Sequence, residues 1–197
     1  NNMYMDVLKE IGNIGAGNAT TAIAKMVGAR IDMSVPSVKL LEVSELGTAV
    51  GAEDDTVIGI FLEVQNDIEG SIMFLLDIES GHYLVNTLMM REMSYNEPFD
   101  EMDLSALKEI GNIIAASYLT ALSTLTKMSI APSVPYISVD MAAAILSVPA
   151  IQFGLMGDKA LMIQTAINAD VAINGYFILM PEPESYDKIL SSLGIQI

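Results

Sequence analysis

Residues 6–36, DVLKEIGNIGAGNATTAIAKMVGARIDMSVP, align without gaps on residues 105–135, SALKEIGNIIAASYLTALSTLTKMSIAPSVP, at a constant offset of 99; fourteen of the thirty-one pairs are identical. The register continues more loosely, with EGSIMFLLDIESGHYLVNTL (69–88) resembling NGYFILMPEPESYDKILSSL (174–193) and Gly70 and Ser80 matching Gly175 and Ser185. The 197-residue chain is therefore a tandem duplication. Two copies are too few for a solenoid, which takes at least three stacked units. The halves must instead bury their apolar faces on each other about a pseudo-two-fold axis. The expectation is a single domain spanning 1–197, built from repeats at about 1–98 and 99–197 with the boundary near 94–101.

Each repeat opens on a long helical segment, about Met5 to Val27 and about Glu101 to Leu125, rich in small residues at its middle. Extended stretches follow at Ser34 to Val43, Thr56 to Val64 and Ser71 to Leu76, then at Tyr136 to Asp140, Lys159 to Ile167 and Gly175 to Met180. They are rich in β-branched or aromatic residues and bounded by turn formers. Shorter helices near Glu79 to Arg91 and Ser185 to Leu193 close the halves. This pattern predicts an α+β fold of two pseudo-symmetric tandem repeats. A central, mainly antiparallel sheet would be covered by two long motif-bearing helices and shorter ones.

Composition removes many chemistries. With 25 acids against nine bases, a net charge of -16 and no basic cluster, the surface repels phosphate backbones and anionic lipid, so neither nucleic acid nor membrane is expected as a partner. There is no cysteine and one histidine, His82, which excludes thiolate sites and poly-His metal sites and disfavours a Ser-His-Asp arrangement. No apolar run reaches the roughly 18–20 residues of a membrane span. A cytoplasmic, soluble protein with no metal of its own is the expectation, with monomer favoured because the duplication supplies internally the pairing of a dimer.

On a helix turning about 100° per residue, Asp6, Glu10 and Asn13 fall within a stripe roughly 60° wide. Leu8, Ile11, Ala22 and Met26 lie opposite, where a sheet would bury them. Ser105, Glu109 and Asn112 repeat the stripe in the second copy, opposite Leu107, Ile110, Ala121 and Leu125; Gly17 and Ala116 follow one turn later, small enough for another backbone to approach. Charged helix faces usually serve only solvation. Asparagine, however, is a mediocre helix residue, and here it holds the same interior position twice. An amide is no general base, but it can hold a water and donate to a phosphoryl oxygen, which is the alignment in-line phosphoryl transfer needs. A carboxylate three residues earlier suits a cation on a partner.

The pattern D/S-x3-E-x2-N-x22-P occurs twice, as Asp6, Glu10, Asn13, Pro36 and as Ser105, Glu109, Asn112, Pro135. It resembles the signature of the CheC/CheX/FliY family of chemotaxis phosphatases, which dephosphorylate the response regulator CheY; two intact motifs resemble its CheC branch. The resemblance implies that Asn13 and Asn112 orient the attacking water at the regulator's phosphorylated aspartate. It also implies that Glu10 and Glu109 pair with the regulator's lysine, that Asp6 and Ser105 tune the helix start or dock the partner, and that Pro36 and Pro135 are structural, where strands begin. The phosphorylated regulator would bring its own Mg2+. A non-catalytic adaptor holding a response regulator, the deamidase CheD or flagellar switch components is the alternative.

Other signals are weaker. GNIGAG (12–17) lacks both the G-x-G-x-x-G spacing and a preceding strand; its small residues read as close packing. Glu53, Asp54 and Asp55 lack a calcium-loop pattern and read as a solvated turn. His82 reads as a surface or packed residue, and the fourteen methionines chiefly as core filling. After Pro135 the second copy diverges into YISVDMAAAILSVPAIQFGLMGD, with a helical, apolar stretch after Asp140. The family resemblance places a contact with CheD around Asp140.

Overall fold

Gly28 and Lys127, equivalent positions of the two copies, both adopt left-handed backbone (φ 66° and 59°), and there the two long helices stop. Glycine takes this conformation freely, whereas a side chain pays about 1–2 kcal/mol. The computed structural model describes residues 2–28, 31–51, 53–153, 159–168 and 172–195. The first copy runs α1 (Asn2–Val27), β1 (Asp32–Glu42), a 3-10 turn (Val43–Glu45), α2 (Leu46–Ala49), β2 (Thr56–Asn66), β3 (Gly70–Asp77) and α3 (Ile78–Leu88). The second runs α4 (Glu101–Thr126), β4 (Ile130–Pro132), β5 (Tyr136–Met141), α5 (Ala142–Phe153), β6 (Lys159–Asn168), β7 (Ala172–Pro181) and α6 (Pro183–Ser192).

The expected antiparallel sheet is present, in the order β1-β6-β7-β3-β2-β4, with β5 also paired to β2. The two copies exchange strands within it. β1 pairs with β6 of the other copy, from Asp32 opposite Asn168 to Glu42 opposite Lys159, and β5 pairs with β2, from Tyr136 opposite Phe61 to Met141 opposite Thr56. At the centre β3 meets β7, and Met73 stands opposite Ile178. Those two residues are equivalent in the register that matches Gly70 with Gly175. The pseudo-two-fold axis therefore passes through this rung.

The sheet is buried on both faces. One face carries Ile58, Ile60, Leu62, Ile72, Phe74, Ile163, Phe177 and Leu179 against α1, α3 and α4. The other carries Phe61, Met73, Leu75, Met162, Ile178 and Met180 against Val43, Leu46 and the α5 residues Ile145 and Leu146. Met73, Met162 and Met180 fill core space, but Met90, Met93, Met102 and Met141 are exposed, so core filling accounts for only part of the methionines. His82 is buried and stacked on Phe99, ring centroids 4.2 Å apart.

Where α1 and α4 pack together, Gly15 is in contact with Tyr118: a Cβ on Gly15 would lie 2.3 Å from the tyrosine ring and 3.0 Å from its Cα. The Tyr118 hydroxyl shares a 2.8 Å hydrogen bond with Thr165, its ring lies 4.6 Å from that of Phe177, and burial pushes its phenol pKa up. The equivalents of this pair, Ala19 and Ile114, are both wholly buried. Bulk removed at one position of the repeat is thus matched by bulk added at another.

Several boundaries differ from the sequence expectation. α1 begins at Asn2 rather than Met5, and α3 ends at Leu88, where Met90 takes φ 54° and breaks the helical path. β4 was not expected. Proline explains it: Pro135 lies in the gap between β4 and β5, while Pro36 sits inside β1, where the β1–β6 register shifts between Ser34 and Ser37. Without an N–H, proline interrupts the ladder, as a bulge in one copy and a break in the other. The placement of Pro36 at a strand's beginning is corrected accordingly; that of Pro135, immediately before β5, agrees. The end of the divergent apolar stretch, residues 154–158, lies outside the described residues. Among the described residues no helix is long and apolar enough to cross a membrane.

Two substitutions on one helix separate packing from propensity. Gly15→Ala should lower stability by about 1–3 kcal/mol through overpacking on Tyr118. Gly17→Ala, with nothing within 4 Å of the added Cβ, should raise it by about 0.5–1 kcal/mol through helix propensity. Chemical denaturation of the two variants checks the opposite signs.

Candidate functional site

The two motif stripes occupy the solvent side of the paired helices. Asp6, Glu10 and Asn13 are exposed on α1; on α4, Ser105 and Glu109 are exposed and Asn112 is half-buried. Behind them Leu8, Ile11, Leu107 and Ile110 are buried, as the helical wheel requires. The rest of the buried stripe is broader than expected. On α1 it is completed by Ala16, Ala19, Ile23 and Val27, while Ala22 and Met26 are half-buried; on α4, Ala121 is buried and Leu125 half-buried. A helix that packs on both a sheet and a neighbouring helix buries more than one narrow stripe.

The glycine before each asparagine sets the height of the site. A Cβ on Gly111 would lie 2.5 Å from Ile60 Cδ1 and 2.9 Å from its Cγ2, so α4 rests directly on β2 next to Asn112. The corresponding contacts at Gly12 are looser, 3.3 Å to Val35 and 3.7 Å to Ile163. Val35 precedes Pro36 at the β1 bulge, so the proline of the signature places a side chain against the helix beside Asn13. In the second copy the equivalent Val134 is 89% exposed. The two sites share their chemistry and differ in their support.

The start of α4 is fixed by acids other than the signature residue. Asp100 accepts from the Asp103 amide at 2.8 Å, the Asp103 carboxylate in turn accepts from the Asp100 amide at 3.1 Å, and Arg91 forms an ion pair with Asp103. This capping box leaves Ser105, in the second turn, no part in starting the helix; Asp6 is likewise in the second turn of α1. At the start of α4 the role expected of Ser105 falls instead to Asp100 and Asp103, and Asp6 and Ser105 both stand exposed on the outer face. Burial alone would push the Asp103 carboxyl up, but the Arg91 guanidinium and the Asp100 amide more than offset this and hold it below the ordinary carboxylate value of 3.8.

Among the described residues a large cavity lies away from the asparagines, lined by residues such as Phe61, Gln65, Pro132 and Tyr136. Glu53, Asp54 and Asp55 form an exposed turn whose backbone oxygens at 53 and 55 accept from the Ala143 and Ala142 amides at the start of α5. Among the described residues no group of three or more His, Asp or Glu side chains is placed to hold a metal ion. Asp140 is exposed near the end of β5, where its carboxylate accepts from the Met141 amide at 2.7 Å. It stands opposite Val57, which packs on the α5 side of the sheet, so Asp140 projects to the face away from α1 and α4. The structure brings together each motif triplet and keeps Asp140 apart from both.

Two further residues stand beside the triplets without belonging to the signature. Lys9 and Lys108 each lie one turn before the asparagine, Lys9 exposed and Lys108 half-buried. Their signal in the sequence is the run LKEIGNI, identical at 8–14 and 107–113.

The CheC-like family profile matches residues 3–40 and 102–139, the two helix-to-proline segments. The CheC of Bacillus subtilis strain 168, a CheY-P phosphatase by name, is 36% identical over 203 aligned positions covering 98% of this chain and 95% of that protein. The chain belongs to the CheC-like family. FliY of Thermotoga maritima has the same fold, with a TM-score of 0.78 at 20% identity over 96% of this chain and 95% of its own. So does the CheX solved with CheY, BeF3 and Mg2+ from Borrelia burgdorferi, at TM-score 0.50 and 17% identity over 85% and 96% of the two chains. The two profile segments of this CheC-like chain fall one in each of its pseudo-two-fold halves, at the start of each.

A folded-state pKa held low contributes stability that is complete above the unfolded value and disappears as pH falls through the folded one. Asp103→Asn should therefore destabilise the protein at neutral pH, with the difference from wild type shrinking as acid protonates the wild-type carboxylate. Paired denaturation curves between neutral pH and about pH 3 check this sign.

Proposed function

We propose that this chain is a protein phosphatase hydrolysing the aspartyl phosphate of a CheY-type response regulator at two sites, one on α1 and one on α4. The observation that carries the reading is the exposed Glu and Asn pair, present twice on helices seated firmly on one sheet; the full-length likeness to a CheY-P phosphatase supports it. Water attacks phosphorus in line, the bond from phosphorus to the aspartyl oxygen breaks, and the carboxylate leaves with the electron pair. The products are aspartate and inorganic phosphate, and the water's proton passes to phosphate or solvent, since an amide cannot take it. Asn13 and Asn112 hold the attacking water in line, a positioning effect. Glu10 and Glu109 pair with the regulator's lysine, and Asp6 and Ser105 contact its surface.

The regulator brings lysine, phosphoryl aspartate and Mg2+ as parts of the substrate, so the chemistry calls for no deep cleft or metal cradle on this chain. That fits the open helix faces. The protein would act as a monomer in the cytoplasm, its two halves supplying each other's strands. Asp140, on the far face of the sheet beside α5, is the proposed contact for the deamidase CheD, which would leave the regulator faces open. The openness of the motif faces also favours the adaptor reading, in which they bind a regulator without hydrolysing its phosphate.

The decay of a phosphorylated CheY-type receiver with catalytic amounts of protein separates the two. Asn13→Ala and Asn112→Ala should each slow the accelerated decay, and the double variant should lose it, by about 100-fold or more if positioning dominates. Unchanged wild-type decay despite binding would establish an adaptor.

A further inference from the structure

Seven consecutive residues, LKEIGNI, are identical in the two copies, although seventeen of the thirty-one aligned pairs differ. Packing accounts for four of them and the proposed reaction for two. Leu8 and Ile11, with Leu107 and Ile110, are buried, and Ile14 and Ile113 pack at the edge of the core. Gly12 and Gly111 admit the sheet side chains beneath them, and Glu and Asn form the motif. The lysine has no such account. Lys9 is exposed and Lys108 half-buried, and among the described residues neither makes an ion pair.

Local explanations fail for the pair. Asp6 stands three residues before Lys9, a spacing that permits a helical ion pair, but its equivalent before Lys108 is Ser105. A chain with 25 acids and nine bases needs no cation for solubility. Lys25, at the far end of α1, shows what an unconstrained lysine becomes, for its equivalent is Thr124. What Lys9 and Lys108 share is place: each lies four residues before the asparagine, about 40° from it around the helix and one turn away.

We infer that Lys9 and Lys108 are positioning residues whose ammonium groups dock on the anionic rim of the partner's phosphoryl-aspartate site. The inference rests on the phosphatase reading for the identity of the partner. Its physical basis is charge. A protein of net charge -16 approaching an acyl phosphate is repelled at long range, and a lysine on each docking face supplies a local opposite charge at the point of contact. A flexible ammonium reaches across a protein interface without itself entering the reaction. The pair therefore governs encounter and orientation, and the amides govern the chemical step.

The test uses the full chain and a CheY-type receiver loaded with beryllium fluoride and Mg2+. Its dissociation constant is measured at about 0.05 M and about 0.3 M salt, where screening differs. Lys9→Gln with Lys108→Gln should weaken binding by about three- to tenfold at low salt, with the gap narrowing at high salt. Lys9→Arg with Lys108→Arg should bind within about twofold of wild type, since the charge is kept, and Lys25→Gln, which removes a positive charge at the far end of α1, should have no effect. With the phosphorylated receiver, the Gln variant should show a raised KM and a kcat within about twofold of wild type. Equal binding of the Gln variant and wild type, or failure of the Arg variant to restore it, would overturn the assignment. Absence of phosphate release from wild type, with the lysine effect on binding intact, would remove the phosphatase reading and leave the docking assignment standing.

Discussion

Neither copy of the repeat completes the sheet alone. The outer strand of each finds its ladder partner in the other copy, β1 on β6 and β5 on β2, and the central rung joins Met73 to Ile178 on the pseudo-two-fold axis. Buried backbone groups need partners, so this exchange makes folding of one half conditional on the other. It also dictates where the helices go. α1 and α4 lie on the same face of the shared sheet and pack on each other with Gly15 against Tyr118, and each is left with one outward stripe.

That outward stripe is held by what lies behind it. Ile60 fills the space under Gly111, and Val35, set beside the Pro36 bulge, approaches Gly12. A side chain at position 111 would collide with Ile60 and force the helix or the isoleucine to move next to Asn112, whereas one at position 12 would meet Val35 more loosely. The proline of the signature, twenty-three residues downstream of the asparagine, thus has a physical connection to the site in the first copy. In the second copy the strand breaks at Pro135 and Val134 turns to solvent, so the space under Gly111 is filled by Ile60 of β2 and not by the residue before the proline. Duplication kept the motif face and let its foundations diverge.

Much of this was legible before any coordinates. The gapless offset between the copies announced the pseudo-symmetry, and helical spacing placed Glu10 with Asn13 and Glu109 with Asn112 on solvent-facing stripes. Runs rich in β-branched or aromatic residues between turn formers located β2, β3, β6 and β7 to within a few residues. The strand exchange was not legible, because β1 is an ordinary strand pattern whose partner is decided by tertiary packing. The compensation between Gly15 and Tyr118 was hidden for the same reason: as sequence, Gly15 opposite Ile114 reads as drift. Pro36 looked like a boundary because a proline inside a ladder is tolerated only on an edge or at a bulge, and β1 supplies both. Lys9 and Lys108 carry little signal of their own, because a lysine on a helix surface is ordinary until its neighbours have all been explained.

The central claim is that a phosphorylated regulator meets this protein on the outer faces of α1 and α4, with an asparagine amide at the phosphorus. A structure of the complex with a receiver carrying beryllium fluoride and Mg2+ tests it most directly. The account predicts that the side-chain amide of Asn13 or Asn112 lies within hydrogen-bonding distance of the fluoride or of a water in line with beryllium, and that Glu10 or Glu109 is paired with the receiver's lysine. A receiver seated on the α5 face beside Asp140, with both asparagines remote from its aspartate, would contradict it.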